Sequence, residues 1–252
     1  MARAPCPVST RHERRATSDG KMEAKISEIF LSYQGEGTFT GSRQLFVRFY
    51  GCNLDCVYCD TFLESYKSFS KESLLGKILD FGDDYNELAL TGGEPLMYAD
   101  FLADFLPLYR KLSKRGIYLE TNGTLPGELG KVAGYVDIIA MDFKLPSSTG
   151  NAEDLWGRHE EFLKKAVATG KEVIVKAVIT DSSNIDDIKR VARITKGVSG
   201  KFVIVLQEVT PVNELSKRPD EEMLSYFKEY LLKESGKEVR IMGQTHKCLG
   251  IK

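Results

Sequence analysis

The stretch ELALTGGEP, residues 87–95, joins a short apolar run, ELALT, to a tight polar turn, TGGEP. A run of this length bounded by turn residues reads as a buried strand, and the polar turn then lies at its carboxyl end. The same arrangement recurs along the chain. LFVRFY (45–50), GIYLET (116–121), VDIIAMDF (136–143), EVIVKAVI (172–179) and FVIVLQ (202–207) read as further strands. Helical patterns lie between them. Leu74, Leu75, Ile78 and Leu79 form one apolar face after a Ser70 cap; Ile185, Ile188, Val191 and Ala192 form another after Ser183, with Asp186 completing a capping box. Six strand–helix units in series predict an α/β fold with a parallel sheet, two units short of a closed eight-stranded barrel. An open, partial β/α barrel fits that count. A doubly wound open sheet is the alternative, which periodicity does not separate from it.

Polar residues gather at the carboxyl ends of the strands. TGGEP is one such group, ETNGT (120–124) and DFKLPSS (142–148) are two more, and Thr180–Asp181 and Gln207–Glu208 follow later strands. Each alone reads as an ordinary βα turn. Several on one edge point to a site, because barrels and open α/β sheets build their sites there.

Composition narrows the class of partner. With 35 Lys and Arg against 36 Asp and Glu, the chain has a formal net charge of -1. No global basic field exists to hold nucleic acid, so a small-molecule partner is expected. No apolar run reaches the ~20 residues of a membrane span, and the N-terminal stretch has no apolar signal core, so a cytoplasmic location is expected. Residues 1–21 lack hydrophobic periodicity and read as a disordered extension, leaving residues 22–252 as one folded domain.

Three of the five cysteines, Cys52, Cys56 and Cys59, fall within GCNLDCVYCDT (51–61), directly after the first strand. Spacing this tight points to metal or redox chemistry rather than a disulfide framework. Structural zinc wants four protein ligands, and neither Cys248 nor the histidines supply an obvious second pair. A four-iron cluster held by three thiolates would keep one iron open for another ligand. Cys6 and Cys248 read as incidental thiols.

The C-x3-C-x2-C loop after the first strand, with Gly-Gly-Glu-Pro after the second, resembles the radical S-adenosylmethionine enzymes. The resemblance implies that Cys52, Cys56 and Cys59 hold a [4Fe-4S] cluster whose open iron binds S-adenosylmethionine, and that a 5′-deoxyadenosyl radical abstracts hydrogen from the substrate. It implies that Gly92, Gly93 and Glu94 meet the cofactor's ammonium, the glycines by close backbone approach and the acid by charge. Thr121, Asn122, Lys144 and Ser147 are then candidate contacts to its ribose and carboxylate.

Within that superfamily, YQGEG (33–37), FVRFYGCNLDCVYCDT (46–61), DFKLPSS and THKCLGIK (245–252) resemble the 7-carboxy-7-deazaguanine synthases. Such enzymes convert 6-carboxytetrahydropterin to 7-carboxy-7-deazaguanine with loss of ammonia, on the route to queuosine-type deazapurines. The resemblance places Gln34 and Glu36 near a pterin ring, Arg48 at the substrate carboxylate, and Gln207 and His246 along the heterocycle. Arg48 offers a planar fork matched to a carboxylate. Thr61 matches a position associated with Mg2+, although its hydroxyl alone reads as a helix cap. The same resemblance implies an electron donor such as flavodoxin and a homodimer, while Trp156 and the YFKEYLL stripe (226–232) read by their helical spacing as core or dimer-interface aromatics. Two other classes remain open: a glycyl-radical activating enzyme acting on a partner protein, and a noncatalytic iron–sulfur or zinc module.

Overall fold

The structure, a computed structural model, describes residues 22–61, 63–150, 153–211 and 216–250. The expected N-terminal extension and Cys6 lie outside the described residues. Nine strands form one sheet: β1 (Glu23–Tyr33), β2 (Arg43–Phe49), β3 (Lys67–Ser70), β4 (Glu87–Gly92), β5 (Gly116–Thr121), β6 (Ile138–Asp142), β7 (Glu172–Ile179), β8 (Val203–Glu208) and β9 (Glu238–Met242). Their order is β3-β1-β2-β4-β5-β6-β7-β8-β9, so β3 and β9 are edges and the barrel stays open. From β2 to β9 every neighbouring pair is parallel, whereas β1 runs antiparallel to both β2 and β3. The six expected strands are β2 and β4 to β8. The sheet adds a seventh parallel strand, β9, and an antiparallel flank, β3-β1.

The helices are α1 (Lys71–Leu79), α2 (Ala99–Leu112), α3 (Pro126–Val132), α4 (Pro146–Thr149), α5 (Trp156–Ala168), α6 (Ile185–Gly197), α7 (Glu221–Ser235) and α8 (Thr245–Leu249). Ser70 caps α1 by accepting the Ser73 amide at 3.2 Å. At α6 the cap sits one residue later than expected: Asn184 accepts the Asp187 amide at 3.0 Å. Ser183 is diverted instead to the Thr180 amide and the Ser148 hydroxyl, at 2.8 and 2.7 Å. Trp156 is buried with Phe227 and Leu231 of the 226–232 stripe in the main core, while Tyr226 and Leu232 are exposed.

Alternate strand positions face opposite layers, as the pleat requires. One face carries Leu45, Val47, Leu88, Leu90, Ile117, Leu119, Ile139, Val173, Val175, Ile204 and Leu206, which join the helices in the main core. The other face begins with a smaller apolar layer made by Phe46, Ala89, Tyr118, Ala140, Ile174 and Val205. Phe39, in the turn after β1, packs edge-on against Tyr118 at 5.5 Å between ring centroids and covers this layer. Two residues further along each of the six strands stand Arg48, Thr91, Glu120, Asp142, Lys176 and Gln207. All six line one cavity above the apolar layer.

Candidate active site

The cavity measures about 330 Å³ and opens at the carboxyl ends of the parallel strands. Its cysteine wall is built by the first and second parallel strands together. As β2 ends, the Gly93 amide donates to the Phe49 carbonyl at 3.0 Å and the Glu94 amide to the Gly51 carbonyl at 2.9 Å. A Cβ on Gly92, whose φ is +123°, would stand 2.3 Å from the Phe49 oxygen; one on Gly93 would stand 1.8 Å from the Gly51 oxygen. These glycines are required by the close approach of two backbones, and that approach aims the Cys52–Cys59 loop into the cavity.

Cys52, Cys56 and Cys59 are thiols lining this wall. The Leu54 amide donates toward Cys52 Sγ at 3.4 Å, and Asn122 Nδ2 lies 3.8 Å from the same sulfur. Burial pushes the Cys52 thiol up to about 12, with the Glu94 carboxylate adding to the shift, and burial also raises Cys56. Thiolates here therefore need a strong positive partner, which iron supplies. Among the described residues, no three His, Cys, Asp or Glu side chains converge on a point suited to a single metal ion. A cluster has no such requirement, because each thiolate meets a different iron. Three thiols from one loop, lining one cavity, are a donor set that fits a cluster with one iron left open.

Glu94 is the first departure from the expected site. Its carboxylate is fully buried and does not line the cavity. One oxygen accepts the Leu96 amide and the Thr121 hydroxyl, at 2.9 and 2.8 Å; the other accepts the Asn122 amide at 2.7 Å. Burial raises its pKa to about 7 against the pull of those donors. In this geometry Glu94 braces the turn after β5 against the turn after β4. Ser147 departs likewise: its hydroxyl donates to Asp187 at 2.5 Å, tying α4 to α6 outside the cavity.

Thr121, Asn122 and Lys144 do line the cavity. Asn122 Nδ2 donates to Asn53 Oδ1 at 2.8 Å, and its Oδ1 accepts the Thr124 amide and hydroxyl. Buried His159 meets the Asn122 carbonyl at 3.2 Å from behind. Lys144 Nζ lies 2.6 Å from Asp142 and 3.4 Å from the Tyr58 hydroxyl, beside Cys56. Burial alone would raise the Asp142 carboxyl, but the Lys144 and Lys176 ammonium groups hold it below the usual carboxylate range.

Gln34, Glu36, Arg48 and Gln207 also line the cavity. Gln34 Nε2 donates to Gln44 at 3.1 Å and reaches Glu120 at 3.5 Å, while its Oε1 accepts the Glu36 amide at 3.0 Å. Arg48 lies 3.1 Å from Glu28 and 3.4 Å from the Thr61 hydroxyl, over the Phe30 ring. Gln207 Oε1 is buried with no hydrogen-bond partner among the described residues, which leaves an acceptor for a ligand donor. No helix follows Thr61 in the described residues, since residues 63–66 are irregular and lead into β3; the capping reading fails there. His246 falls on α8, and its side chain lies outside those described.

Residues 46–195 match the Radical SAM superfamily. The chain is 34% identical to a 7-carboxy-7-deazaguanine synthase of Geobacter sulfurreducens, over 91% of this chain and 98% of that one. This chain belongs to the 7-carboxy-7-deazaguanine synthase family. A 7-carboxy-7-deazaguanine synthase of Methanothermobacter thermautotrophicus is 28% identical over 92% of this chain and 99% of its own. The fold is also that of QueE from Escherichia coli, with a TM-score of 0.60 at 22% identity over 89% of this chain and 95% of that one. As a radical S-adenosylmethionine enzyme of this family, the protein uses a [4Fe-4S] cluster and S-adenosylmethionine.

Several cavity residues were given no role by sequence: Tyr58, Asp60, Glu120, Asp142, Lys176, Gln244 and Lys247. Glu120 and Asp142 sit at the heads of polar strand-end groups. Lys176 interrupts an otherwise apolar strand, a signal available in EVIVKAVI. Gln244 Nε2 reaches Glu36 at 2.7 Å and Asp60 at 3.2 Å, and Lys247 pairs with Asp60 at 3.2 Å. Only the fold brings these groups together.

Proposed function

We propose that the enzyme converts 6-carboxytetrahydropterin to 7-carboxy-7-deazaguanine with release of ammonia. The observation that carries this reading is one cavity lined both by three cysteines and by an arginine with a set of amide and carboxylate groups. A cavity of about 330 Å³ enclosed by strand-end side chains is of the scale that holds small molecules.

Cys52, Cys56 and Cys59 would hold the cluster, and the backbone of Gly92 and Gly93, with Thr121, Asn122 and Lys144, would hold S-adenosylmethionine. When bound, the cluster and cofactor supply the radical that takes hydrogen from the substrate. The chain orients the substrate. Arg48 would turn from Glu28 to a substrate carboxylate, and Gln34, Glu36, Gln207 and His246 would pair with the heterocycle. Thr61, beside Arg48, would contribute one ligand to Mg2+, which accepts few protein ligands.

Residues 22–252 act in this reading as one catalytic domain, with 1–21 an extension outside it. A homodimer, reduction by a donor such as flavodoxin and a cytoplasmic setting belong to the same proposal. In its support, no helix among the described residues is long and apolar enough to cross a membrane. Anaerobic product analysis with reconstituted protein, reductant, S-adenosylmethionine and the pterin tests the reaction. Wild-type protein should form the deazaguanine; Cys56→Ser should lose both the cluster chromophore and the product. Cofactor cleavage by a fully loaded enzyme without deazaguanine would remove the substrate assignment.

A further inference from the structure

Lys176 stands in the middle of β7 between buried Val175 and Ala177, itself 5% exposed. Its ammonium lies 2.8 Å from Glu36, 3.5 Å from Asp142 and 3.7 Å from Glu120. The three carboxylates come from the loop after β1, from β6 and from β5. Each partner extends the network. Glu120 also accepts the Thr91 hydroxyl at 2.7 Å, Asp142 holds Lys144, and Glu36 holds Gln244.

A buried ion cluster is an expensive way to make a fold stable, since apolar side chains of similar volume usually serve as well or better. The layer immediately below shows that alternative in use, with Ile174 at the same face of β7. Charge is therefore retained at Lys176 where the strands meet the cavity and not where they meet each other. Burial opposes its charge, but Asp142, Glu36 and Glu120 keep the ammonium protonated. Two ammonium groups, Lys144 and Lys176, face three carboxylates here, leaving one negative charge in excess. Such an excess complements the N–H donors of a 2-amino-4-oxo heterocycle.

We infer that Lys176 is the positioning residue for the substrate heterocycle, fixing Glu36 and Glu120 so that their carboxylates meet its N–H edge while Arg48 takes its carboxylate. This rests on the pterin reading above. Lys176 acts through those carboxylates, so its loss should relax the substrate without removing the cluster, and the radical should then be spent without productive hydrogen transfer.

The test uses reconstituted holoenzyme of wild type and of Lys176→Met, Lys176→Arg and the double variant Lys176→Met/Asp142→Asn. The double variant removes one charge of each sign and so retains the net charge around the cavity. Cluster content is read by visible absorption and electron paramagnetic resonance. Binding of 6-carboxytetrahydropterin is measured with S-adenosylmethionine but without reductant, and the ratio of 5′-deoxyadenosine to deazaguanine is measured with it. Lys176→Met and the double variant should keep the cluster, bind the pterin about tenfold or more weakly, and raise that ratio by about fivefold or more. Lys176→Arg, which keeps the charge, should recover much of both. Wild-type binding and ratio in the double variant would overturn the inference, as would loss of cluster and pterin binding together in all three variants. Wild-type holoenzyme that neither binds nor converts the pterin would sink the functional reading and this inference with it; normal wild-type conversion beside an unaltered double variant would sink this inference alone.

Discussion

Two adjacent layers inside the open barrel are made by the same six strands, two residues apart, and have opposite chemistry. Phe46, Ala89, Tyr118, Ala140, Ile174 and Val205 form the lower layer; Arg48, Thr91, Glu120, Asp142, Lys176 and Gln207 form the upper one. A two-residue step along a strand is about 7 Å and returns to the same face. Within that step the interior passes from close-packed hydrocarbon to a cavity lined by charge. The lower layer gives the upper one a rigid footing, and the upper layer gains function at a cost the lower layer does not carry.

The largest effect should come from moving charge downward. Ile174→Asp would place a carboxylate among Phe46, Tyr118 and Ala140, in a layer with no cation and only the Tyr118 hydroxyl to donate, and should cost more than about 4 kcal/mol, seen as a collapse of the denaturant midpoint. A near-native midpoint would mean that the two layers are not distinct. The converse change is Arg48→Ala in the upper layer. Deazaguanine formation should fall on the order of 100-fold, about 2.7 kcal/mol of transition-state stabilisation, while abortive cofactor cleavage changes little. Equal loss of both activities would assign Arg48 to the cofactor instead.

Glu94→Gln probes the brace behind the cavity. An amide can accept from Leu96 and Thr121 but presents a donor to the Asn122 amide, so stability should drop by about 1–3 kcal/mol. If thermal unfolding is unchanged and cofactor affinity alone suffers, Glu94 contacts the cofactor after all. The smallest effect is expected at Thr61→Val: about 0.5 kcal/mol or less in stability, with magnesium stimulation of turnover weakened. Full magnesium dependence in that variant would remove Thr61 as a ligand.

The upper layer was half legible in the sequence. Strand-end polar groups are visible as a class, because a strand's last residues stand beside turn residues that mark its end, while Arg48 and Gln207 gain individual roles only through the family resemblance. Lys176 shows as a lone charge in EVIVKAVI, but it lies three residues before its strand ends, and only the pairing with Asp142 on β6 shows that it faces the cavity. The flank β3-β1 escaped for a different reason. β1 is only partly buried along most of its length, so its apolar alternation is weak; β9 is short and mostly exposed or half-buried. Gly92 and Gly93 read from the sequence as a cofactor contact; they do line the cavity, and the backbone–backbone approach that also demands glycine there is one that no single sequence displays. The Ser183 cap was displaced because Thr180 and Ser148, distant in one case by 35 residues, compete for its hydroxyl.

The hydrogen bond from Gln244 to Glu36 joins residues 208 positions apart, while the backbone pairing that aims the cysteine loop, Gly93 to Phe49, spans 44. Contacts between distant segments form late in folding, because the intervening chain must first be ordered. The pairing at the start of the cysteine loop thus closes a stretch of 44 residues and the Gln244–Glu36 contact one of 208, at a larger entropic cost. Cys56 itself packs with Leu155, Val178 and Val209, so the cysteine wall too is completed only by the later strands, and both walls depend on the whole open barrel.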